Sequence, residues 1–320
     1  MPKVVILGYG EMFMNLIAGC LDAHCDVVGV FRYDKVRHKG LDGLILDIFN
    51  PSKEFNYIKG HKLYEIKAKS ANSVEFKKEI LKLNPDIVFV ATWGEKLKKS
   101  IIDLPKIATI NVHPSLLPKY RGPNPYLQAI KHLEQQSGVT FHLMDKDFDT
   151  GPILLQKTVE ITDKDTGKEL KEKIAGATRQ AVTELIKELG EEIIIPVVQD
   201  EKKASYFSVI TEDEVMLDFS KSAEELSAQI RAFHPWHKCY YEYKNQFFVP
   251  NPYCLEILEN NTNFNEVGSI VAKSPKNNQI TVLCGDGKLL KMSRVRLYGK
   301  IRKFFTNFYI KYLIKKGEKA

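Results

Sequence analysis

One amide, one imidazole and one carboxylate stand at spacings that let them work on a single acyl carbon. Residues 110–113 alternate in the pattern of a strand end, so Asn111 and His113 lie on one face, about 7 Å apart along the strand. Asp149 follows on a tight turn bounded by glycine and proline. An imidazole moves a proton, a carboxylate orients and charges it, and an amide donates to a developing oxyanion. The pattern therefore indicates acyl-group chemistry.

A longer motif surrounds these three residues. His113 is followed by Ser-Leu-Leu-Pro-x-Tyr-Arg-Gly over residues 115–122, and Asp149 opens Asp-Thr-Gly. In this order and spacing, the motif resembles the signature of 10-formyltetrahydrofolate-dependent formyltransferases. The resemblance implies that Asn111, His113 and Asp149 are the catalytic residues. It also implies substrate binding by seven residues of the motif: Ser115, Leu116, Leu117, Pro118, Tyr120, Arg121 and Gly122. The residues alone also allow a strand-end histidine with a local hydrogen bond beside a turn aspartate.

The resemblance implies transfer of a formyl group from 10-formyltetrahydrofolate to a primary amine. His113 would accept the amine proton, directly or through a water, and return a proton to the folate nitrogen. Asp149 would hold the imidazole and raise its pKa, while Asn111 would donate to the oxyanion. This chemistry requires no metal, and we predict no metal site.

The first two hundred residues have the pattern of a doubly wound, mostly parallel α/β sheet. Predicted strands lie at 3–8, 26–31, 61–66, 86–91, 110–113 and 153–156, and predicted helices at 10–21, 71–83 and 166–189. The run Gly8-Tyr9-Gly10 suggests a dinucleotide fold, but Phe13 occupies the third glycine position of that motif. We therefore disfavour NAD as a ligand while keeping the architecture.

A folate site is expected at the carboxyl edge of this sheet. Ligands of open α/β sheets lie beyond the carboxyl ends of the strands, where the loop after residues 86–91 would meet His113. By resemblance, this loop and the one near residues 143–147 hold the pterin. The residues assigned to folate contact are Ala91, Thr92, Trp93, Met144 and Asp145. From the residues alone, Trp93 also fits a position in the core.

The length of the chain predicts two domains and a tail. We assign residues 1–200 to the catalytic domain, 206–300 to a small β-barrel of the oligonucleotide-binding type, and 301–320 to a basic helical tail. The barrel prediction rests on short alternating strands and turns from Phe247 onward. The polar run 199–205 has the composition of a linker. Aromatic residues at helical spacing in the tail favour docking on its own barrel over contact with RNA or a membrane surface.

Positive charge is concentrated at the C-terminal end. Residues 285–320 carry eleven Lys or Arg against Asp286 and Glu318, a sum of +9 out of a net +7, which leaves −2 for the rest of the chain. A segregated basic end suggests a polyanionic partner, although a solvated lysine-rich tail has the same composition. The favoured acceptor is therefore the amine of methionyl-tRNA, with tRNA bound through the basic C-terminal domain.

Other acceptors stay open. An amino sugar on a nucleotide or lipid carrier is the alternative, because Pro123 and Asn124 follow Arg121-Gly122 where tRNA enzymes have small residues. Residues 33–40 stand roughly where those enzymes insert a basic loop, but their composition differs, which weakens the tRNA assignment. A hydrolase fits the large second domain poorly, and the intact catalytic set argues against an inactive RNA-binding protein.

The remaining features concern location. Five scattered cysteines form no Cys-x-x-Cys pair, which favours a reducing compartment. The N-terminus shows no signal peptide, and no apolar run is long enough to span a membrane. We expect a cytoplasmic protein and a monomer.

Overall fold

The computed structural model describes residues 1–33, 51–298 and 303–320. The predicted basic loop at 33–40 lies outside the described residues from position 34 onward, as do residues 299–302. The described chain divides into two compact units. The first contains Met1–Pro125, Gln136–Glu160 and Lys171–Phe207, and the second contains Tyr126–Gln135, Ile161–Leu170 and Ser208–Ala320. Because two segments of the predicted range 1–200 group with the second unit, the linear domain boundaries stay a prediction.

A six-stranded sheet organises the first unit. Its strands are β1 (Lys3–Gly8), β2 (Asp26–Arg32), β3 (Ile87–Ala91), β4 (Ala108–His113), β5 (Gln136–Leu143) and β6 (Ile153–Glu160). They are ordered β2-β1-β3-β4-β5-β6, and β5 runs antiparallel to both of its neighbours, whereas the other pairs are parallel. The predicted doubly wound, mostly parallel sheet is confirmed.

The α-helices are numbered in chain order. They are α1 (Gly10–Asp22), α2 (Lys53–Gly60), α3 (Val74–Leu83), α4 (Lys99–Ile102), α5 (Pro125–Lys131), α6 (Gly167–Gly190), α7 (Ala223–Phe233) and α8 (Lys303–Phe308). Short 3-10 turns occur at Glu201–Lys203 and Pro275–Asn277, and a π-helical turn at Tyr309–Leu313. Among the described helices, none is long and apolar enough to cross a membrane.

Local sequence explains where these elements begin and end. All five residues of β3 are buried, as expected of a central strand covered on both faces. Helix α3 begins after Ser73, whose side chain accepts a hydrogen bond from the Phe76 amide, and ends at Asn84 with φ of +49°. The start of α1 is also occupied, because Gly10 N donates to a Glu54 carboxylate oxygen at 3.0 Å. A carboxylate there stands where a dinucleotide phosphate would bind.

The predicted strand at 61–66 is wrong. Helix α2 ends at Gly60, and Lys62 has φ of +55°, so the chain is still turning there. Only Glu65 forms a bridge to β2, through Val30. The side chain of Glu65 pairs with Arg32 at 2.6 Å. The segment therefore adds a single bridge to the edge of the sheet.

The second unit contains the antiparallel strands that follow α7. A four-stranded sheet has the order β10 (Ile270–Ser274), β11 (Gln279–Leu283), β12 (Leu289–Met292) and β9 (Leu255–Leu258), and a three-stranded sheet the order β13 (Arg296–Leu297), β8 (Gln246–Val249) and β7 (Tyr241–Tyr243). Ser222 and Glu225 form the capping box predicted for α7. A C-terminal domain of short antiparallel strands is confirmed, with the strands arranged as two sheets.

The C-terminal tail packs on the second unit. Ile310 and Ile314 are fully buried, while Tyr312 is exposed. The chain continues into backbone hydrogen bonds with β10, where Gly317 N donates to Ile270 O at 2.9 Å. This arrangement favours the prediction that the tail docks on its own domain.

Candidate active site

The carboxylate of Asp149 joins the two polar residues at the end of β4. Its Oδ1 accepts a hydrogen bond from Asn111 Nδ2 at 3.1 Å and lies 3.4 Å from His113 Nδ1. Its Oδ2 accepts from the Gly122 backbone amide at 3.0 Å. His113 and Asp149 are both buried. The structure thus brings Asn111 and His113 to the carboxylate of Asp149, so the three predicted catalytic residues lie together.

The backbone around Asp149 is shaped to aim that carboxylate at β4. Asp149 has φ of +59°, a left-handed conformation that aspartate tolerates better than most residues. A Cβ at Gly151 would lie 1.8 Å from the Leu143 carbonyl oxygen, so only glycine fits there. The backbone therefore explains both ends of the Asp-Thr-Gly sequence: an aspartate in a left-handed conformation and a glycine where no side chain fits.

The imidazole of His113 has two different neighbours. Its Nε2 lies 2.9 Å from the Tyr120 carbonyl oxygen and donates to it, which leaves Nδ1 facing Asp149. Burial is the strongest single influence and lowers the pKa of His113, but the charge and contact of Asp149, with the Tyr120 carbonyl, outweigh it and raise the pKa. The raised pKa is the effect predicted for this pair.

Asp149 is held as an anion. Burial raises the pKa of its carboxyl, but the charge of His113, the neighbouring imidazoles of His113 and His142, and the hydrogen bond from the Gly122 amide hold that pKa well below its usual range. The carboxylate is therefore ionised near neutral pH and provides a negative charge beside the imidazole.

His142 belongs to the same cluster, although the sequence motif does not include it. It lies opposite Asn111 in the antiparallel β4–β5 pair and is 2 % exposed. Its Nδ1 lies 2.9 Å from the Leu143 carbonyl, so its Nε2 accepts from Asn111 Nδ2 at 3.0 Å. Both hydrogens of the Asn111 amide are then engaged, by His142 and by Asp149. An oxyanion role for Asn111 requires that one of these bonds be exchanged for the substrate oxygen.

The first half of the predicted substrate-binding loop packs into the protein. Ser115 is fully buried, and its Oγ donates to a backbone carbonyl four residues on at 2.8 Å. The Leu117 amide donates to Thr140 Oγ1 at 3.1 Å. Leu116 and Pro118 are half-buried. These residues shape the loop, and direct contact with a substrate stays a prediction for them.

The second half of the loop touches the catalytic residues. The Tyr120 carbonyl accepts from His113, and the Gly122 amide donates to Asp149. Gly122 has φ of +97°, and a Cβ there would lie 2.3 Å from the Phe207 carbonyl oxygen. Two of the seven predicted residues therefore support the catalytic groups through their backbone atoms.

Arg121 faces protein groups. Its guanidinium is buried and binds both carboxylate oxygens of Glu201, at 2.9 and 2.8 Å. It also donates to Gln199 Oε1 from Nε at 3.2 Å and from Nη2 at 2.8 Å. In this arrangement the side chain supports the loop, and its contact with substrate stays a prediction.

The predicted folate residues lie on two loops beside the catalytic strand. Ala91 pairs with Val112 in the parallel β3–β4 ladder, so Thr92 and Trp93 follow directly beside the end of β4. Trp93 and Met144 pack against the same core cluster of the first unit. Trp93 Nε1 is buried and has no hydrogen-bond partner among the described residues. Trp93 therefore packs its ring against the core and keeps an Nε1–H group without a partner among the described residues.

Asp145 organises the second of these loops. Its carboxylate accepts from Thr150 Oγ1 at 2.8 Å and from the Asp147 amide at 3.0 Å. The loop from Met144 to Thr150 is thereby closed on itself. Across the described parts of the chain, no group of three or more His, Cys, Asp or Glu side chains could hold a metal ion.

The chain belongs to the formyltransferase family. The family model described as formyl transferase matches residues 2–186, and the model for the formyl transferase C-terminal domain matches residues 209–309. The protein is therefore an enzyme that transfers formyl groups, and the predicted family membership is confirmed.

Two relatives support this assignment, and a solved structure shares the fold. The chain is 33% identical over 288 residues to a methionyl-tRNA formyltransferase of Caldanaerobacter subterraneus, covering 90% of each chain. It is 30% identical over 310 residues to one of Pseudomonas paraeruginosa, covering 96% of this chain and 95% of the relative. A Helicobacter canadensis N-formyltransferase, solved with folinic acid and dTDP-3-aminofucose, has a TM-score of 0.67 at 20% identity, covering 92% of this chain and 99% of that one. This last likeness shows the fold alone.

Proposed function

We propose that this formyltransferase moves the formyl group of 10-formyltetrahydrofolate to the amine of methionyl-tRNA. The chemistry rests on one observation, the meeting of Asn111 and His113 on Asp149 Oδ1. The acceptor is supported by relatives named methionyl-tRNA formyltransferase that match this chain through both of its domains.

His113 takes the proton of the attacking amine in this proposal. Nε2 is tied to the Tyr120 carbonyl, so Nδ1 is the nitrogen that accepts the proton. The charge of Asp149 stabilises the imidazolium that forms, and the same nitrogen then returns a proton to the departing folate nitrogen. Asn111 exchanges its bond to His142 or Asp149 for one to the developing oxyanion.

The folate is assigned to the loops that follow β3 and β5. Nε1 of Trp93 has no partner among the residues that the structure describes, and it fits a ligand that presents a hydrogen-bond acceptor, as a pterin does. Met144 packs on the same cluster as Trp93 and offers an apolar, adaptable surface for a flat ring. Ala91, Thr92 and Asp145 complete the proposed contact set.

The tRNA is assigned to the second unit. A groove of about 1090 Å³ there is lined by Lys238, Lys276, Arg294 and Arg296, and its described lining contains no carboxylate side chain. Exposed Tyr298 lies at the same groove, with its ring centroid 5.8 Å from Lys238 Nζ. Cations for phosphates and a ring for stacking are the groups that single-stranded or structured RNA requires.

Reversing the charge of Arg296 tests this groove. Because Arg296 is exposed at the groove, Arg296→Glu is expected to raise KM for methionyl-tRNA several-fold and leave kcat at saturation unchanged. The slope of log KM against log salt should fall by about 0.9 for each phosphate that the variant no longer neutralises. Lys62→Glu, an equal reversal at an exposed site in the first unit, is the control. Equal KM values for the two variants would remove this groove from the tRNA site.

An amino sugar is the alternative acceptor. Solved structures of sugar N-formyltransferases share the fold, and Pro123 and Asn124 follow Arg121-Gly122 in this chain. The deciding experiment measures formyl transfer from 10-formyltetrahydrofolate to methionyl-tRNA and to a panel of amino-sugar nucleotides, at low and moderate salt. We expect activity on the tRNA that falls steeply with salt. Activity on the sugars alone would replace the acceptor and keep the chemistry.

We also place the enzyme in the cytoplasm and propose that it is a monomer. All five cysteines are free, as expected of a protein in a reducing compartment.

A further inference from the structure

Gln199 lies at the centre of the site although its segment has the composition of a linker. Its side chain is 6 % exposed. Its Nε2 donates to two backbone carbonyls, those of Asp149 and Gly151, each at 2.8 Å. Its Oε1 accepts two hydrogen bonds from Arg121. The hydrogen-bonding capacity of this buried amide is therefore fully used. Both of its N–H groups hold the turn at Asp149–Gly151.

The turn that Gln199 holds needs support. Asp149 has φ of +59°, and its carboxylate must reach Asn111 and His113 on a different strand. Carbonyls buried without a partner cost roughly 1–3 kcal/mol each. Gln199 supplies the partners on both sides of Thr150 and so fixes the direction of the carboxylate.

The same segment holds the backbone beside His113. Tyr120 N donates to Ser205 Oγ, and Arg121 N donates to the Ser205 carbonyl, both at 2.8 Å. The Tyr120 carbonyl between these anchors accepts from His113 Nε2. Gln199, through Arg121, joins this loop to the Asp149 turn.

We propose that Gln199 is a positioning residue that sets the distance between the Asp149 carboxylate and the His113 imidazole. The proposal rests on the catalytic roles given to His113 and Asp149 above. A carboxylate held 3.4 Å from an imidazole stabilises its protonated form, and a shift of about 1 Å in such a pair is enough to change rates about 10²-fold. In this role Gln199 acts through Asp149.

Gln199→Met tests the proposal, because methionine keeps the length and apolar body of glutamine and removes both donors. We expect kcat to fall at least about tenfold, with KM for the acceptor within about threefold of wild type. The acid limb of the kcat–pH profile should move to lower pH, because a displaced Asp149 no longer raises the pKa of His113. Gln199→Glu keeps the oxygen that accepts from Arg121, removes both donors, and should lose a similar part of kcat; it gives the answer if Gln199→Met does not fold.

The chain offers a matched control in the second unit. Gln229 is also buried, and its Nε2 donates to the carbonyls of Glu214 and Met216 at 2.7 and 3.1 Å. Gln229→Met should lower the melting temperature as Gln199→Met does, with an unchanged acid limb. Equal kcat and equal pH profiles for Gln199→Met, Gln229→Met and wild type would overturn the positioning role. If wild type formylates no acceptor, it is the proposed function that fails.

Discussion

Replacing His113 by alanine is expected to lower kcat by about 10²–10⁴-fold, the usual contribution of a positioned general base. The amine must lose a proton as it attacks, and Nδ1 of His113 is the buried base that faces the ionised Asp149. KM for folate and acceptor should change little, since the imidazole contributes mainly in the transition state. Steady-state rates at saturating concentrations of both substrates provide the measurement.

A histidine outside the site serves as the control for that loss. His132 lies in the second unit, and its Nδ1 faces the Gln128 carbonyl one helical turn earlier. His132→Ala should retain wild-type kcat. If His113→Ala falls no further than His132→Ala, then the proton leaves by another route and His113 is structural, as a strand-end histidine with a local hydrogen bond would be.

Two parts of the predicted catalytic set rest on local signals, and the resemblance to the formyltransferase signature is what joins them. Period two in a strand puts Asn111 and His113 on one face, and the Asp-Thr-Gly turn needs glycine at position 151 for its close approach to a backbone carbonyl. The apolar run of β3 and the capping box of α7 are local in the same way. Each of these features depends on residues within a few positions of one another.

Partners that come from distant pairing could not be predicted. His142 reaches Asn111 because β5 reverses direction in an otherwise parallel sheet, and nothing within β5 encodes that pairing. Gln199 lies 50 residues from the Asp149 carbonyl that it binds. The polar run that contains Gln199 has no periodicity and therefore has the composition of a linker. The buried side chain of Gln199 nevertheless has a defined position, because it donates to two backbone carbonyls. The strand predicted at 61–66 fails for a related reason: its local pattern is that of a strand, but it pairs with β2 through one bridge only.

The structure also changes what the Arg-Gly part of the motif does. The resemblance implies that Arg121 binds the substrate, yet its guanidinium binds Glu201 and Gln199, and Gly122 is fixed by its fit beside Phe207. In this arrangement, the two residues hold the loop whose backbone contacts both His113 and Asp149. Differences after Arg-Gly then need not report on the acceptor, which removes some weight from the amino-sugar alternative.

Replacing Asp149 by asparagine is expected to lower kcat at least about a hundredfold and to move its pH dependence as well. An asparagine presents one oxygen, so its amide NH₂ must face either the Asn111 amide or the Gly122 amide, both of which are donors. The cluster thus loses a hydrogen bond along with the charge that stabilises the imidazolium of His113.

The direction of the pH shift follows from the pKa of His113. In wild type this pKa is raised, so kcat is expected to rise with pH through a limb that lies above the ordinary histidine value of 6.5, as the imidazole becomes neutral and able to accept a proton. Without Asp149, burial is no longer outweighed and lowers the pKa of His113, so the acid limb of Asp149→Asn should lie below 6.5. The acceptor amine titrates equally in both enzymes, so the difference between their limbs belongs to the protein.

The pH dependence of stability provides an independent measurement on the same pair. Asp149 has a lowered pKa when folded, so it stabilises the protein above its unfolded pKa and loses this effect as pH falls through the folded value. His113 has a raised pKa and stabilises the protein below about pH 6.5, an effect lost as pH rises through its folded pKa. Asp149→Asn should therefore be most destabilising in mildly acidic buffer, where both groups are charged in the wild-type protein.

Asp165 provides the control for the kinetic shift. It is a buried turn aspartate in the second unit, so Asp165→Asn should leave the acid limb of kcat in place. A limb that stays above 6.5 in Asp149→Asn would mean that Asp149 does not set the pKa of the catalytic base.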